Sequence, residues 1–277
     1  MNEYYFLFFL ALVWTICAVV QDLKKREVAN WLNFSLIAIA LSYRIFYAIT
    51  NKSLAFALTG LIGFALFFAL ANLFYYSKVF AGGDAKLLMG FGIILPYKTL
   101  LELSYISLIF IFLLFLLGSI YGILYSITIV RKNKQKFFKE FKKNLDKNKY
   151  LVISIIVLLI ALGFILKTNV WPITSSFGLA LVLLYIYTKS LEPCMISLVP
   201  AKNLQEGDWL EQNIKIGKKT IKKSVHGLSF EEIKLLRKAN RKVLIKEGIP
   251  FTPAFLLSLM ALFFLISKYP LLSFFQF

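Results

Sequence analysis

The chain is a succession of long apolar blocks separated by short polar connections. The apolar runs cover residues 4–20, 31–49, 54–76, 85–95, 105–130, 150–166, 173–187 and 253–266. Within them apolar residues follow one another without the alternation that a membrane strand requires, so helices are the spans this pattern predicts. Most of the runs are long enough to cross a bilayer. The expected fold class is therefore an all-α polytopic membrane protein with about eight transmembrane helices. The fourth run is short. Residues 84–95 reach roughly 18 Å as a helix, against a hydrocarbon core of roughly 30 Å. Either that helix continues past Pro96 toward Leu103, or it starts below the membrane surface behind a loop at 81–83 that dips inward.

Two polar blocks interrupt this rhythm. In 131–149, phenylalanines at 137, 138 and 141 make one apolar face on a basic helix, which predicts an amphipathic segment lying at the interface. Residues 189–250 predict a small α+β cytoplasmic subdomain before the last helix. Short strands turn at Glu206-Gly207 and Gly217-Lys218, and a helix follows, opened by the Ser229/Glu232 capping box and closed by Gly248. So few residues make a marginal core, and the subdomain is expected to lean on the membrane part. The organisation read from the pattern is a transmembrane core over 1–130, the basic segment 131–149, two further spans in 150–188, the subdomain 189–250, and a last span with its tail in 251–277.

Charge gives the pattern a direction. Of 32 Lys and Arg residues, nine lie in 131–149 and 13 in 189–246. Lys24, Lys25 and Arg26 follow the first run and Lys78 the third. The connections after even-numbered runs hold only Lys52, Lys98 and Lys167, with Lys268 in the tail. The positive-inside rule then puts the odd-to-even connections in the cytoplasm and the N-terminus outside the cell membrane. The basic blocks imply attraction to anionic lipid, and they lack the aromatic interleaving that nucleic-acid binding would call for. The first run precedes its positive charges, the reverse of a signal peptide, so it is read as a first span. Cys17, Cys194 and a lone His226 form no Cys-x-x-Cys pair and no usual zinc site, so no metal or cofactor is expected. Cys17 reads as core packing within its span.

The carboxylates are few. The only aspartates in the first 130 residues are Asp22 and Asp84; Glu3, Glu27 and Glu102 fall at an outer end or in connections. The expected topology puts both aspartates on the cytoplasmic side, at the end of span 1 and the start of span 4. Two facing carboxylates suit aspartyl hydrolysis: one ionised group takes a proton from water as it attacks a carbonyl, and its protonated partner polarises that carbonyl and protonates the leaving amine. Aspartates at helix ends also serve as caps, and an intramembrane pair also fits an ion pathway. Gly82 and Gly83 would allow close backbone approach to a substrate strand. Lys86 either favours a charged carboxylate or snorkels to the surface.

Two strings, "QDLKKREVANWLN" and "AGGDAKLLMG", together resemble the type IV prepilin and preflagellin peptidases, intramembrane aspartyl proteases of the GxGD class. Asp22, the basic residues 24–26 and Asn30 match the family's first motif; Gly83, Asp84, Lys86 and Leu87 match its second. Ala81 stands where the first motif glycine is expected, and Ala29-Asn30 replaces a common Pro-Asn. No zinc-binding loop or methyltransferase signature is present, which resembles the archaeal, peptidase-only members. The strings "LVPAKNLQEGDWL" and "KEGIPFTPAFLL" are similar to a C-terminal extension of some of these. The resemblance implies Asp22 and Asp84 as the catalytic pair. It implies cleavage, at the cytoplasmic face, of short basic leaders from pilin-like or archaellin precursors. Glu206, Asp208 and Glu211 would meet such a leader, or are solvated surface. Two other readings stand beside it: an ion-coupled transporter or channel using the aspartates as ligands, and a scaffold whose basic segments recruit lipid or partners. The presenilin-like branch fits less well, because its first aspartate follows a tyrosine and Asp22 follows Gln21.

Overall fold

A computed structural model describes residues 2–166, 171–217, 219–224 and 227–268. Lys167, Lys218 of the expected turn, His226 and the tail after Lys268 lie outside them. The elements in chain order are α1 (Asn2–Lys25), α2 (Asn30–Thr50), α3 (Leu54–Tyr76), α4 (Gly82–Ile94), α5 (Leu100–Lys132), α6 (Lys134–Leu166), α7 (Trp171–Leu191), β1 (Ile196–Pro200), β2 (Trp209–Leu210), β3 (Ile214–Ile216), β4 (Lys219–Ile221), α8 (Phe230–Lys238), β5 (Lys242–Lys246) and α9 (Thr252–Lys268). The chain divides into two compact units, Met1–Ile123 with Ile249–Phe277, and Leu124–Gly248.

In the first unit, α4 is enclosed by α2 and α3 and also touches α1, while α9 packs on α1. Among the described residues, four helices are long and apolar enough to cross a membrane: Tyr4–Lys25, Asn30–Thr50, Leu54–Tyr76 and Leu100–Lys132. Thr252–Lys268 is apolar but shorter. The expected count of eight is not reached among these residues. The fourth run forms only the 13-residue α4, and the sixth and seventh runs meet in residues outside the described set. Cys17, expected in the core, is exposed on the surface of α1, because the inward stripe of that helix falls on its neighbours Thr15 and Ala18.

Neither sequence alternative for the fourth run holds as stated. Gly82 and Gly83 are not a loop; they are the first turn of α4. The helix stops at Ile94, because Pro96 forces Leu95 out of the helical region, to ψ 144°. It is therefore about 20 Å long, shorter than a bilayer core. Its last carbonyls need donors inside the protein, and Arg44 of α2 supplies them. Arg44 Nε donates to Ile93 O at 2.5 Å and Nη2 to Leu95 O at 2.8 Å, while Nη1 donates to Phe56 O at 2.8 Å. The side chain is 0% exposed, and its guanidinium lies over the rings of Tyr4, Phe56 and Tyr97. Tyr97 Oη donates to Gly92 O, and Tyr4 Oη donates to Tyr97 O at 2.8 Å.

Helices α3 and α4 meet backbone to backbone. A Cβ added to Gly92 would stand 2.5 Å from Gly63 O and 2.7 Å from Phe67 Cβ. Small residues at such a crossing let membrane helices pack closely. Gly92→Ala should therefore destabilise the first unit by about 2 kcal/mol or more, measured as a lowered melting temperature of the purified protein in detergent. An unchanged melting temperature would contradict this packing.

In the second unit, the basic stretch is not a separate interfacial helix. Arg131 and Lys132 end α5, and the rest from Lys134 is the first half of α6, continuous with the apolar run that follows. Phe137 and Phe141 stack on each other and Phe137 packs against Tyr187 of α7, leaving Phe138 exposed. After α7 comes a small α+β element with its own core, including Leu204, Leu210, Ile221, Leu236, Val243 and Ile245. Its three-stranded antiparallel sheet has the order β1-β5-β2, and β3 pairs with β4 as a hairpin. The Ser229/Glu232 capping box is formed: Ser229 Oγ accepts from Glu232 N, and the Glu232 carboxylate accepts from Ser229 N at 2.9 Å. The helix it opens does not run to Gly248. It ends at Lys238, and Asn240 turns the chain with φ 44°. Residues 242–246 form the central strand β5, because Val243 and Ile245 alternate onto the core face.

Candidate active site

Asp22 faces inward because of its place on α1. Leu7, Ala11, Thr15, Ala18 and Asp22 are all buried and recur every three or four residues, which puts them on one helical stripe. The helix ends just beyond, where Arg26 takes a left-handed φ of 56° and its N–H returns to Asp22 O at 2.8 Å. Gln21 Oε1 then accepts from Ala29 N at 2.9 Å and shapes the turn into α2.

Asp84 is the third residue of α4, two after Gly82. Ala81 caps this helix with φ −72° and ψ 163°, an extended conformation open to any residue. Alanine thus replaces glycine here without backbone strain. The Ala81 N–H points at the Asp84 carboxylate. Asp22 is 7% exposed and Asp84 9% exposed. The two carboxylates, one from the end of α1 and one from the start of α4, lie within electrostatic reach of each other.

The first turn of α2 braces the first turn of α4. Lys86 Nζ donates to Asn30 Oδ1 at 2.6 Å, so the ammonium is tied to α2. Asn33 Nδ2 donates to Gly83 O at 3.4 Å. Asn33 is 1% exposed, and its Oδ1 has no partner among the described residues. Val28, in the turn before α2, lies 3.4 Å from where a Gly83 Cβ would stand, an ordinary van der Waals contact. Of the residues read from the sequence, Asp22, Asn30, Gly82, Gly83, Asp84 and Lys86 thus gather at one end of the first unit.

Glu206, Asp208 and Glu211 belong to the second unit. Glu206 is exposed. Asp208 Oδ2 accepts from Gln205 N at 2.8 Å. Burial raises the Asp208 carboxyl above its ordinary range, the Gln205 N–H opposes that rise, and the Glu247 charge adds to it. Glu211 pairs with Lys223, Oε2 to Nζ 3.9 Å.

Sequence reading missed three residues here. Asn33 lies one turn after Asn30, a spacing that puts both on one face of α2. Arg44 was absorbed into an apolar run, although a lone charge within a span is itself a signal. Thr252 opens α9 and donates twice to Asp22 Oδ2, from N at 3.1 Å and from Oγ1 at 2.9 Å. The N–H of Phe251 also points at this carboxylate. Phe251 in turn packs on Phe80, the residue before Ala81, with ring centroids 5.2 Å apart. Nothing in the string around a single hydroxyl at a helix start marks it as a partner of Asp22.

No solved structure matches the chain significantly. The preflagellin peptidase of Methanococcus maripaludis is 27% identical over 140 residues, covering 46% of this chain and 60% of that protein. The preflagellin peptidase of Methanocaldococcus jannaschii is 27% identical over 89 residues, 32% of this chain and 38% of that protein. That of Methanococcus voltae is 27% identical over 87 residues, 31% of this chain and 37% of that protein. The chain therefore spans less than two thirds of the length of each of these curated relatives. The model of the type IV leader peptidase family matches residues 9–127, which include both Asp22 and Asp84. Residues 9–127, which carry the two aspartates, are thus similar to the type IV leader peptidase family and to these preflagellin peptidases.

Proposed function

We propose that the chain is a membrane-embedded aspartyl endopeptidase that removes short basic leaders from archaellin or pilin-like precursors. Asp22 and Asp84 are the catalytic pair. The ionised member takes a proton from water as the water oxygen bonds to the scissile carbonyl carbon. The protonated member gives its proton to the carbonyl oxygen. As the C–N bond breaks, the pair returns a proton to the leaving amine. The observation that carries this reading is that two buried carboxylates, from α1 and α4, lie within electrostatic reach of each other in the family-matched segment. Asn30, Asn33 and Lys86 hold the first turn of α4, which carries Asp84, against α2. The positive-inside rule, applied to the basic connections, supports a cytoplasmic position for this end of the first unit, where a precursor's leader emerges before its apolar helix.

An ion-ligand role for the same pair suits the geometry less well. Hydrogen-bond donors converge on Asp22 Oδ2, where a cation would need a free lone pair. The test is the purified chain in lipid vesicles with a synthetic precursor carrying a basic leader. The expected result is release of the leader at a single site, read by mass spectrometry. Ion flux without cleavage would reverse the choice.

A further inference from the structure

Thr252 lies 230 positions from Asp22 and outside the residues 9–127 that match the family. Both its donors nevertheless go to one oxygen of the Asp22 carboxylate. The first turn of α9 has few amides to offer. Pro253 has none, and the Ala254 N–H returns to Phe251 O at 3.0 Å. The amides that remain, those of Phe251 and Thr252, converge on Asp22. Thr252 is fully buried, so water does not compete for its hydroxyl. Among the described residues, the Asp84 carboxylate is met by one backbone N–H, that of Ala81. The two carboxylates are therefore unequal in their surroundings. A backbone N–H only donates, so the oxygen it meets does not carry the proton, and donors converging on a carboxylate favour its charged form.

We propose that Thr252 is a positioning residue that fixes Asp22 as the ionised, water-activating member of the pair, leaving the shared proton on Asp84. Asp22 is then the carboxylate that takes the proton from water. This inference rests on the endopeptidase reading above and assigns the roles within it. It also ties the last helix to the chemistry.

The experiment uses the full chain in vesicles, with kcat and KM for leader removal measured across pH. Thr252→Val keeps the N–H and the side-chain shape but removes the hydroxyl. It should lower kcat roughly 10- to 100-fold, the equivalent of one hydrogen bond to a charged group, with KM little changed. The acid limb of its pH profile should move up by about one pH unit, since Asp22 is then harder to ionise. Thr252→Ser restores the hydroxyl and should recover both the rate and the limb. An unchanged rate and profile in Thr252→Val overturns the assignment. So does a lower rate with an unmoved acid limb, or one that Thr252→Ser does not rescue. If Thr252→Val and Thr252→Ala both fail to accumulate while Thr252→Ser folds, the hydroxyl is structural and the assignment falls. Cleavage by Asp22→Asn at the wild-type rate instead refutes the endopeptidase reading itself, so the two failures are distinct.

Discussion

Asp22→Asn and Asp84→Asn should each reduce leader removal by about a thousandfold or more, because each takes away one half of a proton relay that works as a unit. The double variant should be no slower than either single variant, since nothing is left for the second change to remove. The folded protein should survive both changes. An asparagine at 22 still presents an oxygen to the N–H and O–H of Thr252, and an asparagine at 84 still accepts from the Ala81 N–H. The measurement is cleavage of a synthetic precursor in vesicles, normalised to protein abundance and melting temperature. Near-wild-type cleavage by either single variant, with abundance unchanged, would remove the pair from the mechanism.

Arg44→Met should have the largest effect on stability. It takes the guanidinium donors from the carbonyls of Ile93, Leu95 and Phe56; Leu95 O keeps Tyr97 N and Phe56 O keeps Thr59 Oγ1, but Ile93 O is left without another described donor inside an apolar interior. Each stranded carbonyl costs about 1–3 kcal/mol. One stranded carbonyl, two further lost charge-assisted bonds and the lost contact with the rings of Tyr4, Phe56 and Tyr97 together take a large share of the stability of an ordinary domain, about 5–15 kcal/mol. The variant should fail to accumulate in membranes, or lose its folded state in detergent at temperatures the parent withstands. Arg44→Lys should rescue only in part, because an ammonium cannot reproduce the planar fork that reaches three carbonyls at once. Gly60 leaves room for this side chain, since a Cβ there would lie 2.8 Å from Arg44 Nε. A melting temperature for Arg44→Met close to that of the parent would show that the end of α4 finds other donors.

The residues legible in the sequence were those that break a strong pattern. Asp22 and Asp84 stand out because carboxylates are rare in an apolar frame and expensive to keep there. Lys86 was legible as a cation beside Asp84, Asn30 only by resemblance, and the structure joins Lys86 to Asn30 in one hydrogen bond. Ser229 and Glu232 were readable because a capping box is local chemistry. What the sequence hid depends on long-range geometry. The true end of α4 was ambiguous until Arg44 supplied donors for its carbonyls, and Arg44 itself lies 49 positions from Ile93. Strand β5 was taken into a helix, because a five-residue run with Lys at both ends carries either period until β1 and β2 pair with it. Thr252 was invisible because nothing local distinguishes a hydroxyl that meets a carboxylate from one that merely opens a helix.

The bond between Asp22 and Thr252 also sets a clock on how the protein is made. Asp22 leaves the ribosome well before Thr252, and at about 5–20 residues per second the intervening 230 residues take roughly 10–50 s to synthesise. During that interval α1 to α4 can enter the membrane and bring the two aspartates together. The Asp22 carboxylate still lacks its α9 donors. On the mechanism proposed above, a nascent chain of that length holds both acids but lacks the donors that poise Asp22, and these arrive only with α9.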